Sequence, residues 1–270
     1  MTTVLELRNV GKKFITERKE VVAIEDVNFS VNSNEFLSIV GPSGCGKSTL
    51  LRMIAGLEKP TSGTLILEGN KIEKPDAERG MVFQQYTLLP WKTVLGNVAL
   101  GLEIKGMKKE ERNKIAKEFI KLIGLEEFEN SYPYELSGGM QQRVAIARTL
   151  ANDPKIVLMD EPFGALDTQT RVILQNELLK IWEKDKKTVV FITHSVEEAV
   201  YLSDRVIIMS ARPGKIKDIV NIDIDRPRKR TSPEFLEYKN EIVNILKEEV
   251  MKSYNPDILP RLKSWGSRLR

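Results

Sequence analysis

The nine residues Gly41, Pro42, Ser43, Gly44, Cys45, Gly46, Lys47, Ser48 and Thr49 constrain this chain more than any other segment, because they fit the pattern G-x-x-x-x-G-K-[ST]. An apolar run, Phe36 to Val40, leads in, and Leu50, Met53, Ile54 and Leu57 follow at helical spacing. A strand, a glycine-rich turn and a helix in that order aim the loop's amides and the helix N-terminus at one anion. The glycines let the backbone curl around phosphate oxygens. Lys47 is then expected to neutralise the β and γ phosphates of ATP, and the Ser48 hydroxyl to ligate Mg²⁺.

Further apolar runs at Lys155 to Asp160, Thr188 to Thr193 and Asp204 to Met209 read as buried strands. A segment of helical spacing, Val172, Leu178, Leu179 and Trp182, lies among them, and the alternation indicates a mostly parallel sheet covered by helices, an α/β fold. Residues 1 to 35 alternate apolar and polar, which suits an antiparallel flanking sheet. Between Tyr86 and Asn152 the pattern turns helical, with Ile115, Phe119, Leu122 and Ile123 on one stripe and Val144, Ala147 and Leu150 on another; this reads as a helical insertion spanning about 87–152. The expected division is a core of residues 1–225 and a helical tail of residues 226–270, whose helix starts at Ser232 and Pro233 and turns Phe235, Tyr238, Ile242, Ile245 and Leu246 to one side.

A phosphate loop needs a carboxylate for its metal, and the run Ile156 to Met159 ends in Asp160 and Glu161. Neighbouring carboxylates at a strand end can divide labour: Asp160 holds the ion, and Glu161 polarises the water that attacks the γ phosphorus. His194, the one histidine in the chain, follows its own strand at the same relative place, where α/β sheets bind ligands, and points to a γ-phosphate contact.

Composition narrows the class. In 270 residues, 42 basic and 38 acidic side chains leave a charge of only +4, so no extended electropositive surface for nucleic acid is required. No apolar stretch reaches the roughly 18 to 20 residues of a membrane span, and the N-terminus lacks the apolar core of a secretory signal, so the chain is expected to stay in the cytoplasm. The single cysteine, Cys45, excludes an internal disulfide.

Leu136 to Arg143, LSGGMQQR, narrows the reading from a generic nucleotide-binding protein to a family: it resembles the signature of ABC ATPases. Ser137 is a natural helix N-cap, and Gly138 and Gly139 bare the first amides of a following helix, a second anion-binding end. The remaining elements match in order. Gln84 resembles the Q-loop glutamine, Asp167 the D-loop aspartate, His194 the switch histidine, and Phe14 the aromatic position that stacks on adenine, where many relatives carry tyrosine. Met140 departs from the commonest signature, which has glutamine there. The resemblance implies that two copies pack head to tail, with Ser137, Gly138 and Gly139 of one covering ATP on the other's phosphate loop. It also puts Gln84 in the Mg²⁺ shell with Ser48 and Asp160, and Asp167 at the dimer interface.

Tyr86 to Glu103 and Tyr201 to Ile216 are similar to the ATPases of nitrate, sulfonate and taurine importers. That implies a peripheral subunit on the cytoplasmic face of the membrane, powering separate permease subunits, with an external solute-binding protein as an indirect partner. Pro90 and Trp91 would face the permease. A rival reading, an ABC ATPase of nucleic-acid repair or translation, rests on the basic run Arg226 to Arg230; no long coiled-coil insertion or second cassette accompanies it, and no nucleic acid is expected.

Overall fold

The computed structural model describes residues 2–16, 19–164, 166–184 and 186–253. The last part of the expected tail, 254–270, lies outside the described residues. In chain order the first half runs β1 (Thr3–Thr16), β2 (Lys19–Asn32), β3 (Phe36–Val40), α1 (Lys47–Ala55), β4 (Ser62–Leu67), β5 (Asn70–Lys71) and β6 (Arg79–Val82). Four helices follow: α2 (Val94–Val98), α3 (Leu100–Ile104), α4 (Lys109–Leu122) and α5 (Gly138–Leu150). The chain returns through β7 (Ile156–Asp160), α6 (Thr168–Lys184), β8 (Thr188–Ile192), α7 (Val196–Leu202), β9 (Arg205–Met209), β10 (Ile216–Asn221) and α8 (Pro233–Ser253).

The six-stranded sheet has the order β10-β9-β3-β8-β7-β6. Its pairings are parallel from β9 through β6, and β10 joins β9 antiparallel at one edge. Every residue of β3, β7 and β8 is buried, which is why these strands read as continuous apolar runs rather than alternating ones. Their side chains still divide by the period of two. Phe36, Val157, Met159, Val189, Phe191, Val206 and Ile208 face one core with α5, α6 and α7, while Leu37, Ile39, Ile156, Leu158, Val190, Ile192 and Ile207 face another with α1 and the flanking sheet.

That flanking sheet is antiparallel, β2-β1-β4-β5, with Leu5 opposite both Val31 and Leu67. It recruits β4 and β5 from beyond the phosphate loop, two strands absent from the sequence reading, because their apolar residues are few: in Ser62–Leu67 only Leu65 and Leu67 are buried. The helix after the loop stops at Ala55, not Leu57. Gly56 takes φ +77 as a left-handed cap, and Leu57, beyond it, is exposed. On α8, Phe235 and Ile242 are completely buried in the same core as Phe36 and Phe191, with Tyr238, Ile245 and Leu246 against it.

Candidate functional site

The carboxyl ends of parallel strands bring the candidate residues together, at the edge where open α/β sheets bind ligands. From β3 the chain enters the loop Gly41 to Gly46. Gly46 caps α1 at φ +105, and a Cβ there would stand 2.8 Å from Ile24 and 3.0 Å from the Ala23 carbonyl, so no other residue fits. The Cys45 side chain packs behind the loop with its thiol pushed above its ordinary pKa by burial. Lys47, only 6 % exposed, donates its ammonium to the carbonyls of Gly41 at 2.9 Å and Pro42 at 3.1 Å. Charged phosphate oxygens are stronger acceptors for such an ammonium than these neutral carbonyls.

Beside it, the Ser48 hydroxyl donates to Asp160 at 2.9 Å. Burial raises the Asp160 carboxyl above its ordinary pKa, against the lowering effect of the Ser48 hydrogen bond, so the carboxylate lacks full compensation. The oxygen donors of Ser48 and Asp160 are of the kind that suit a hard cation such as Mg²⁺, which would supply that compensation.

Glu161 follows directly, at φ +46, a left-handed conformation costly for a residue with a Cβ and common at functional sites. Its Oε2 is shared: His194 Nδ1 lies 3.3 Å away, and the Gln84 amide donates at 3.5 Å. Glu161 and His194 thus issue from adjacent strands, β7 and β8, and Gln84 follows β6 on the other side.

Phe14, Ser43, Gly44, Gly46, Lys47, Ser48, Thr49, Glu161 and His194 line one cleft of about 410 Å³. Phe14 is 39 % exposed, with the Lys12 ammonium 5.0 Å from its ring centroid. Three lining residues escaped the sequence reading: Val21, Ala23 and Arg212. Arg212 donates twice to the Gly44 carbonyl, at 3.0 and 3.2 Å. Its position just past the end of the strand-like run Asp204 to Met209 was the available signal. Val21 and Ala23 gave none, since they look like ordinary strand residues.

Ser137, Gly138, Gly139 and Asp167 do not line that cleft. Ser137 caps α5 by accepting from the Met140 amide at 3.3 Å, and Gly139 packs on α6, where a Cβ would meet Thr170 at 2.9 Å. Asp167 accepts from the Gln169 and Thr170 amides at 3.0 Å each; the Thr170 side chain first, and then these backbone bonds, hold its carboxyl below its usual pKa. Within one chain the start of α5 therefore takes no part in the cleft at the start of α1.

The three arginines of the basic run are engaged within the fold, while Lys229 is exposed. Arg226 pairs with Asp204 at 2.6 Å and lies over Trp182; Arg228 is 4 % exposed and donates to the carbonyls of Ser203 at 2.6 Å, Ile224 at 2.9 Å and Ile222 at 3.2 Å; Arg230 donates to Gln175 at 2.7 Å. With the arginines so engaged, the run gives the nucleic-acid reading no support.

Comparison with known proteins agrees with this geometry. Residues 24–164 match the family model described as ABC transporter. An uncharacterised ABC transporter ATP-binding protein of Methanocaldococcus jannaschii is 65% identical over 253 residues, which are 94% of this chain and 95% of that one. A nitrate import ATP-binding protein of Synechocystis is 46% identical over 252 residues (90% and 95%), and a taurine import ATP-binding protein of Roseobacter denitrificans 46% over 260 (92% and 97%). Among solved structures, a dimeric ATP-binding cassette in a post-hydrolysis state, bound to ADP and Pi, superposes with a TM-score of 0.72 at 40% identity, covering 82% of this chain and all of that one.

Proposed function

We infer the function from the premise that this chain belongs to the ABC transporter ATP-binding family. It is an ATP-binding subunit with ATPase activity. The finer reading is that it powers an importer of a small anionic or zwitterionic solute such as nitrate, a sulfonate or taurine, through separate permease subunits on the cytoplasmic face of the membrane. The relatives' names and the likeness across nearly the whole chain support it, as does the absence, among the described residues, of a helix long and apolar enough to cross a membrane. Trp91, 71 % exposed on a loop before α2, is available for the permease. The solute-binding protein would act only through that permease.

The single observation that carries the catalytic reading is the convergence of Lys47, Ser48, Asp160, Glu161 and His194 on one cleft edge. Lys47 leaves the Gly41 and Pro42 carbonyls for the β and γ phosphates, while Phe14 gives the adenine an apolar face. The amides of Ser43 through Thr49 wrap the phosphates. Ser48 and Asp160, joined by Gln84 from its place at Glu161, would hold Mg²⁺, which would neutralise charge on the phosphate oxygens. Glu161 orients and polarises the attacking water, and His194, held at its carboxylate, contacts the γ phosphate. Ser137, Gly138 and Gly139 of a second copy complete the site, and Asp167 lines the interface between the two. The γ phosphate is then the ligand that favours the closed dimer over the open one, and closure moves the permease.

Replacing Glu161 with Gln tests the assignment. ATP affinity should stay within about twofold of the parent while turnover falls about 100-fold or more, and ATP should trap a stable dimer on size exclusion. Parental turnover would remove Glu161 from the role.

A further inference from the structure

His194 is exposed, yet both of its chain neighbours are held by one buried residue. Glu198, in the first turn of α7 and 6 % exposed, accepts the Thr193 hydroxyl on Oε2, and its own amide donates to the Ser195 hydroxyl at 3.3 Å. The Ser195 amide in turn donates to the Thr193 hydroxyl at 2.9 Å, closing a small ring beneath the histidine. The rest of the carboxylate turns toward α6: Gln175, also buried, donates to Oε1 at 3.2 Å, and Arg171 stands 3.7 Å from the same oxygen.

Arg171 carries the connection further. Its side chain donates to the Leu166 carbonyl at 2.9 Å, and its amide to the Asp167 carbonyl at 3.0 Å, so it grips the loop that presents Asp167. From Gln175 the chain of bonds continues to Arg230, and Arg230 and Lys239 both pair with Glu197, at 3.5 and 2.8 Å. One carboxylate therefore sits between the loop of His194 and the loop of Asp167, and the segment leading into α8 buttresses it.

We propose that Glu198 is a positioning residue for ATP hydrolysis, holding the His194 loop in register with the Asp167 loop. The inference rests on the reading of His194 and Asp167 as parts of the hydrolytic dimer. Its physical content is rigidity. Burial makes each bond to the carboxylate costly to break, so a shift of the Asp167 loop against a second copy moves Arg171, Glu198 and the backbone on both sides of His194 together. Glu198 does not line the cleft; it acts through the placement of the imidazole against Glu161.

The test uses the full chain with Glu198→Gln, Glu198→Ala, Thr193→Val and Thr193→Ser, and His194→Ala alongside. For the Glu198 variants and Thr193→Val, kcat should fall about 10- to 100-fold, while the KM for ATP and the affinity for a fluorescent ATP analogue stay within about twofold. Thr193→Ser keeps the hydroxyl and should retain parental kcat. If Glu198→Ala fails to fold, Thr193→Val, which replaces a buried hydroxyl by a methyl of the same shape, still decides. Parental kcat in Thr193→Val and Glu198→Gln beside an inactive His194→Ala overturns the proposal. So does a loss of analogue binding that parallels the loss of kcat, since that marks a merely structural role. Parental turnover in His194→Ala instead overturns the underlying reading of the histidine.

Discussion

Lys47 and Glu198 are both charged groups taken out of water, and they answer to burial in different ways. The Lys47 ammonium finds loop carbonyls that a phosphate can replace, so its cost is repaid on binding. The Glu198 carboxyl is raised above its ordinary value near 4.5, first by burial, with the Thr193 hydroxyl and Arg171 pulling it back. A folded-state pKa above the unfolded one means that the native chain binds the proton more tightly. The associated stability is complete below about 4.5 and is lost as pH rises through the folded value. In urea titrations between about pH 4 and 7, Glu198→Gln, which has no proton to lose, should gain on the parent as pH increases; a pH-independent difference would refute this. The sequence gives Glu198 no distinction, because one glutamate on a short helix looks solvated until the packing around it is known.

Arg226 to Arg230 shows how far element-scale context changes the meaning of residues. In sequence the run is a basic cluster; in the fold Arg228 closes the C-terminal end of α7, bonding the carbonyls of Val200, Tyr201 and Ser203, and joins it to the stretch after β10 through Ile222 and Ile224. Burial pulls its pKa down to about 10, in keeping with how little water reaches it. Arg228→Ala should orphan these carbonyls and destabilise the fold by about 3 kcal/mol, seen as an earlier denaturant midpoint. Arg228→Lys should recover little of that, since an ammonium cannot reproduce the planar fork of donors. By contrast, the tail helix was legible: Ser232 and Pro233 do start α8, and the Ser232 hydroxyl accepts from the Phe235 amide at 3.3 Å. Helix starts are local chemistry, whereas carbonyl capping by a residue more than twenty positions away is not.

For the whole molecule, Ser137, Gly138 and Gly139 do not line the cleft that holds Lys47, so the composite site proposed above requires pairs of chains. Turnover per chain should rise with protein concentration while ATP affinity does not, and Ser137→Arg should suppress turnover yet leave ATP binding near parental. Turnover per chain that is constant on dilution would refute the composite site. The sequence alone determined the phosphate loop, the strand-end carboxylates, the histidine and the parallel core, because each is written in contiguous residues: glycines where the backbone must curl, Val and Ile runs where both sheet faces are buried, polar groups where those runs stop. Tertiary structure alone decided what lies across from them. Residues distant in sequence met only when the strands aligned, placing Val21, Ala23 and Arg212 in the cleft, β4 and β5 in the flanking sheet, and Glu198 between two loops. The physical reason is that local propensity and hydrophobic period act along the chain, while burial and hydrogen-bond pairing act through space.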